Sequence, residues 1–492
     1  MQILHLLIIQ VFCGILMFFM PNDLKKLNFM HIILNLINSI FILYFVYLVI
    51  KNGTMSEFNE ILAIDSIGAI FLILIAITGF FTNLYSTSYL KWQLEKGTFT
   101  IKRIRHYYSL SYIFVFTMTL SCVVNNMALL WAAVEATTLA SVFLVAINND
   151  KKSTESGYKY IVLCSIGLAF ALFATVLLYS SSYHSFSLSS DAMLFSKLLD
   201  NASNLNKDAL KLVFIFALIG YGTKAGLVPT HTWLPDVHAQ GPAPTSSLLS
   251  GILLKCAMLA LIRFYAIVGN AVGFDFVQDV MIISGILTLF VSGYFLITQH
   301  DVKRMFAYHS IVHMGVIAVG LGIGSFLGVF AALFHCLAHS FTKALAFCVT
   351  GNIERIYGTK DMFKMGGMVY IAPVTTVLFG ISICSLVGVP GFAIFFSEFN
   401  IFKAGIMSGQ YLSIALFAIA LLVIFIADFS HFFLSSFGKV VGEVKYNKEM
   451  TFIENLPLIA LAILIILFGI YNFSSFTYLL DESARIITGG KI

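Results

Sequence analysis

Five apolar stretches of this sequence each carry ionisable side chains several turns from any polar flank. Glu135 lies in ALLWAAVEATTLASVFL, Lys224 in FIFALIGYGTKAGLVP and Lys255 in SSLLSGILLKCAMLALIRFY. The segment ALFHCLAHSFTKALAF carries His335, His339 and Lys343, each four residues from the last, and SLVGVPGFAIFFSEFNIF carries Glu398. A +4, +4 spacing aligns three protonatable groups on one helix face, about 6 Å of rise apart. That is the spacing of a proton ladder in which water bridges the steps. Histidine takes and releases a proton near neutral pH. Lysine does so only where desolvation or a cationic neighbour weakens its base. A carboxylate such as Glu135 beside a lysine holds it charged until the two separate, which is a switch in principle.

Each residue alone has a plainer reading. A single buried lysine also snorkels to an interface, or is a satisfied core group. His–x3–His is also metal-ligand spacing, but no acid accompanies it on that helix and no HExxH pattern is present, so no metal site is expected. Five charged segments at a cost of at least about 2.5–3.5 kcal/mol per charge argue for function rather than accident. Asp428, in a further apolar stretch, is a secondary candidate.

The elements that must hold these groups are interrupted beside them. Pro229, Pro235, Pro242 and Pro244, half of the eight prolines, fall within sixteen residues of GLVPTHTWLPDVHAQGPAP, just after Lys224. Gly388, Val389, Pro390 and Gly391 interrupt the segment before Glu398. Broken helices at membrane depth require a polar or water-lined surrounding, and such pairs mark the ion site of inverted-repeat transporters.

The whole chain has 492 residues, 59% apolar and 11% charged, with a mean hydropathy of +0.93. A water-soluble domain carries roughly 25% charged residues, so lipid must be the solvent here. About twenty apolar residues span a bilayer. Fourteen such segments are predicted, near 2–20, 29–50, 64–88, 107–124, 127–147, 158–180, 208–228, 245–267, 276–298, 307–325, 327–350, 371–404, 411–437 and 455–474. The first is read as a helix rather than a cleaved signal, because it lacks a basic start and a small-residue cleavage site.

The fold class is therefore an all-α polytopic membrane protein of about fourteen transmembrane helices, with the seventh and twelfth broken. A three-helix segment over 1–106 is expected to precede two inverted five-helix repeats, 107–267 and 276–437, with a last helix and tail over 438–492.

Lys25, Lys26, Lys91, Lys96, Lys102, Arg103, Arg105, Lys151, Lys152, Lys159, Lys303, Arg304, Arg355, Lys360, Lys364, Lys439, Lys445 and Lys448 fall on one side of these spans. Fewer, such as Lys51, Lys197, Lys207 and Lys211, fall on the other. Positive loops stay cytoplasmic, which predicts both termini outside the cytoplasm. The seven cysteines sit in apolar runs without a CxxC pair, so no redox centre or other cofactor is expected. No basic patch interleaved with aromatics points to nucleic acid.

Four strings, in order, resemble the proton-conducting antiporter-like membrane subunits of respiratory complex I, multisubunit sodium/proton antiporters and membrane-bound hydrogenases. They are residues 220–265 from GYGTKAGLVP to ALIRFY, QHDVKRMFAYHSIVHMG (299–315), FAALFHCLAHSFTKALAFCVTGNI (330–353) and GVPGFAIFFSEF (388–399). The likeness runs from about 60 to 440. Within it, WAAVEATTLASVFLVAI and GYGTKAGLVP look most like component F of hydrogenase-4-type complexes. No long lateral helix like that of the largest complex I antiporter-like subunit is expected after the last span, which argues against that assignment.

The resemblance implies that Glu135 and Lys224 are the family's carboxylate–lysine pair, and that Lys255 is the lysine of the complex I type. It implies that His335, His339 and Lys343 form the connecting row, and that Glu398 is the exit-side carrier. His309 departs from the Ser usual in such segments, and the sequence assigns it no role.

These expectations amount to a proton-translocating subunit of a redox-driven complex in a bacterial or archaeal cell membrane, with no catalytic centre of its own. Its partners would be further membrane subunits and a peripheral redox arm. The alternatives are a subunit of a multisubunit sodium/proton antiporter, or a proton-coupled partner of a soluble inorganic-carbon uptake protein.

Overall fold

A computed structural model describes residues 2–441, 444, 449–471 and 473–490; Lys445 and Lys448 of the expected basic side lie outside those described. The chain opens with helices α1 (Ile3–Phe19) and α2 (Leu24–Asn52). A small antiparallel hairpin follows, Met55–Glu57 paired with Leu62–Ile64, which the all-helical expectation did not include. Its Glu57 carboxylate accepts bonds from the free N–H groups of Ile3 and Leu4, so the hairpin caps α1.

Next come α3 (Ser66–Glu95), α4 (Ile101–Val123), α5 (Met127–Val145) and α6 (Lys151–Ser182). Asp65, Thr100, Asn126 and Asp150 cap their first turns with side-chain oxygens. The segment expected as one broken helix is two, α7 (Lys207–Ala225) and α8 (Trp233–Gln240). Then α9 (Ala243–Val272) holds a π-helical turn at Leu249–Leu253. It is followed by α10 (Phe274–Ile297), α11 (Val302–Ile323) and α12 (Phe326–Tyr357). The expected span over 371–404 is also split, into α13 (Pro373–Leu386) and α14 (Ala393–Met407). The described chain ends with α15 (Tyr411–Phe437), α16 (Phe452–Ile470) and α17 (Ser474–Ile487).

Ten of the described helical segments are long and apolar enough to cross a membrane. Their arrangement sorts by polarity. Within their most apolar stretches α9 and α12 are wholly enclosed, whereas α15 and α16 are only a third buried. The outer helices turn Ile166, Phe173, Ile283, Leu422 and Ile426 outward. Lipid replaces water as the outer solvent, so apolar side chains gain nothing by being inside. The enclosed interior, apolar for the most part, also takes the ionisable groups that hydrocarbon would reject, among them Lys224, Lys255, His335, His339 and Lys343.

The two breaks are built alike. At the end of α7, Gly226 takes φ +85° and the Leu227 N–H reaches back to the Gly222 carbonyl at 2.8 Å. At the end of α13, Gly388 takes φ +68° and the Val389 N–H reaches the Cys384 carbonyl at 2.9 Å. Both are glycine C-caps in which a left-handed residue reverses the chain and uses up the last carbonyls. The prolines just beyond prevent the helix from resuming.

The basic loops meet at one end of the bundle. Arg105 donates to the Met20 carbonyl at 3.1 Å, Lys159 pairs with Asp236 at 3.3 Å and Lys303 with Glu354 at 2.9 Å. Arg304 also pairs with Asp236, and Arg355 with Glu454 at 3.1 Å. At the opposite end Lys197 meets Glu60 at 3.2 Å and buried Arg263 meets Asp65 at 3.4 Å.

Candidate functional site: a buried row of bases and carboxyls

The break after α7 places Lys224 one residue from the helix end, fully buried. Its ammonium donates to Thr138 Oγ1 of α5 at 2.7 Å and to the Tyr160 hydroxyl of α6 at 2.6 Å. It also lies 4.5 Å from the Tyr160 ring centre. Tyr160 is itself fixed by Ser141 Oγ at 2.7 Å and by Trp233 of α8, whose ring centre is 4.8 Å away. The Trp233 indole N–H donates to the Thr223 carbonyl at 2.8 Å, so the break itself is pinned beside the lysine.

Glu135 stands one helical turn from Thr138 on α5 and accepts from Ser165 Oγ at 2.9 Å. Its other oxygen, Oε2, is buried without a partner among the described residues. Among the described residues Glu135 and Lys224 form no ion pair; neutral hydroxyls hold the lysine instead. The expected direct pair is thus an open arrangement, bridged by one turn of α5.

Lys255 shows why α9 departs from α geometry. Its ammonium donates to the Ser250 carbonyl at 2.5 Å, and Ser340 Oγ of α12 donates to the Gly251 carbonyl at 2.5 Å. Both carbonyls belong to the π turn, where one extra residue shifts backbone acceptors out of the i−4 ladder. The bulge therefore supplies a lysine with a neutral acceptor in a fully buried place.

On α12, His335, His339 and Lys343 are all fully buried, as their spacing requires. They do not hand on to one another directly. The His335 and His339 ring centres are 6.1 Å apart, and His313 of α11 fills the space between them. His313 Nδ1 lies 3.0 Å from His335 Nε2, and its ring centre lies 4.6 Å from that of His339. His335 Nδ1 continues to Ser397 Oγ of α14 at 2.8 Å. Lys343 turns its ammonium to the Phe306 carbonyl at 2.5 Å.

His313 was missed in the sequence. It falls four residues after His309 on α11, and only the packing of α11 on α12 reveals its place. His238 of α8 was missed as well. It is buried, stacked 4.7 Å from Phe347, with both ring nitrogens unpartnered among the described residues.

Glu398, beside Ser397, folds back over Gly388, where a Cβ would collide with its Oε2. Its Oε1 is buried without a partner among the described residues. A cavity of about 350 Å³ opens beside it to the outer surface, lined by Val387, Gly388, Phe395, Phe402 and Leu421. A similar cavity of about 380 Å³ lies beside the first break, against Leu227, Val228, Pro229 and Ile283. Each break thus loosens the packing at the edge of the row.

A helical membrane bundle with two glycine-capped breaks around a row of titratable side chains defines a multi-pass membrane subunit of the ion-translocating class. The pattern of the family described as NADH:quinone oxidoreductase/Mrp antiporter, TM matches residues 124–424, and the chain belongs to that family. It is 32% identical over 445 residues to the hydrogenase-4 component F homolog of Methylacidiphilum infernorum, covering 90% of each chain. It is 26% identical over 395 residues to a Na(+)/H(+) antiporter subunit of Alkalihalophilus pseudofirmus, covering 79% of this chain and 78% of that one. Its fold matches a chain in the structure of a membrane-bound sulfane sulfur reductase, an archaeal respiratory membrane complex, with a TM-score of 0.82. That match has 22% identity and covers 99% of this chain and 98% of the other.

Proposed function

We propose that this chain is the proton-translocating membrane subunit of a redox-driven complex of the hydrogenase-4 or NADH-quinone oxidoreductase type. The observation that carries this reading is the row itself. Glu135, Lys224, Lys255, His313, His335, His339, Lys343 and Glu398 lie in or beside the enclosed core. Among the described residues the three lysines, Glu135, His313 and His335 are held by hydroxyls, carbonyls and each other rather than by fixed counter-charges. A lysine locked to a carboxylate keeps its proton; one held by neutral oxygens can give it up. The likeness to the hydrogenase-4 component F homolog supports the redox-driven type, and the partners are then further membrane subunits and a peripheral redox arm.

Moving one charge against 100 mV needs about 2.3 kcal/mol, so the drive comes from those partners. The breaks support a repeat relation: α7 reaches its break from the Lys197 end, and α13 reaches its break from the basic end. We take 107–267 and 276–437 as inverted repeats, with fourteen crossings and both termini away from the basic, cytoplasmic face.

A second reading, a subunit of a multisubunit sodium/proton antiporter, rests on the likeness to the Alkalihalophilus pseudofirmus antiporter chain. Sodium-dependent flux without redox partners would favour it. The test of the first reading is to purify the complex through a tag on this chain. It is then sealed into vesicles with a pH dye inside, and wild type is compared with Lys224→Ala. Loss of proton uptake with the complex intact is expected; undiminished uptake overturns the reading.

A further inference from the structure

Two groups lie outside that row and are unaccounted for by it. His309 on α11 and Asp428 on α15 are both fully buried, and His309 Nε2 contacts Asp428 Oδ2. They join two helices, one enclosed and one on the outer edge. His309 is one turn from His313, with ring centres 5.8 Å apart and nearly parallel. Asp428 is three residues from His431 on the same helix. His431 is 6% exposed, and its Nε2 lies 3.4 Å from the Leu296 carbonyl, next to the last residue of α10. From the basic end inward the order is His431, Asp428, His309, His313, His335.

We infer that Asp428 and His309 form a lateral proton inlet, carrying protons from the basic face, between α10 and α15, to the histidine row on α11 and α12. This inference rests on the reading of the row as a proton path. In each step Asp428 gives its proton to His309 Nε2 and is recharged from the His431 side. His309 releases a proton from Nδ1 toward Nε2 of His313, whose Nδ1 is already joined to His335. The His309 ring then turns over to restore a bare nitrogen toward Asp428 before the next proton.

The unpartnered atoms favour transport over a structural clamp. Asp428 Oδ1, His309 Nδ1 and His313 Nε2 are all buried without a hydrogen-bond partner among the described residues. A pair serving only to pin α15 to α11 would gain by satisfying its outer atoms, since a buried polar atom left without a partner forfeits its hydration with nothing in return. Transport needs those atoms free to take a bridging water at each hop. Lys343 is near on α12, its ammonium on the carbonyl of Phe306, three residues before His309. A charge there would oppose a second charge on His309 and keep the inlet to one proton at a time.

The test uses vesicles containing the intact complex, with proton flux driven by a potassium diffusion potential and scaled to the amount of complex. Asp428→Asn keeps the shape and cannot carry a proton; Asp428→Glu alters the shape and can. Flux per complex reduced roughly tenfold or more in Asp428→Asn and His309→Gln, with Asp428→Glu largely active, is the expected result. The inlet is overturned if Asp428→Asn conducts like wild type while Lys224→Ala does not, which leaves the row itself intact. It is equally overturned if Asp428→Asn and His309→Gln only lower the amount of assembled complex. Lys224→Ala conducting normally removes the row, and the inlet with it.

Discussion

At the scale of single residues the lysines matter most, because each is held by an oxygen that bears no charge. Lys224 depends on Thr138 and Tyr160. Replacing Tyr160 by Phe removes one acceptor but keeps the ring beneath the ammonium. A hydrogen bond to a charged group is worth roughly 1.5–3 kcal/mol. We expect Tyr160→Phe to lower proton flux several-fold without loss of assembled complex, measured in the same dye-loaded vesicles. Flux equal to wild type would mean that Thr138 alone positions the lysine. The residue types were legible from sequence: seven named ionisable groups, Glu135 through Glu398, are all in or beside the enclosed core. What the sequence did not show was who touches whom. His313 became the link between His335 and His339 only through the crossing of α11 and α12; its four-residue spacing from His309 repeats that of His335 and His339, but does not say which helix it faces.

At the scale of elements, the breaks decide where the row can lie. Proline and glycine made both breaks legible, since Pro229 and the Gly388–Gly391 turn contradict a continuous helix. The π turn in α9 was not legible. Its sequence, LSGIL, reads as ordinary helix, and the extra residue is revealed only by Lys255 and Ser340 taking the carbonyls of Ser250 and Gly251. Gly388 offers a direct test at this scale. Alanine there meets both a positive φ and the Glu398 carboxyl. A left-handed non-glycine residue costs about 1–2 kcal/mol. Gly388→Ala should therefore lower thermal stability of the complex by a few degrees and displace Glu398, cutting flux more than stability. A loss of stability with full flux would show that Glu398 has no fixed post.

At the scale of the whole molecule, loop charge predicted a basic end and the structure has one. Lys159, Arg304, Lys303 and Arg355 converge there on Asp236, Glu354 and Glu454. If that end is cytoplasmic, a single cysteine replacing exposed Lys96 will react with an impermeant maleimide in inside-out vesicles and not in intact cells. The opposite pattern would reverse the proposed direction of the row. Background labelling is low because six of the seven native cysteines are buried.

The uncharged cradles around Lys224, Lys255 and Lys343 have one more consequence. With no carboxylate in direct contact among the described residues, each ammonium in the corridor is felt by the next. Two unit charges 4 Å apart oppose each other by about 4 kcal/mol even at an effective dielectric constant of 20. If the row carries protons as proposed, its traffic is self-spacing: filling one post disfavours filling its neighbour, and the direction of flow is set by whichever end the neighbouring chains perturb first.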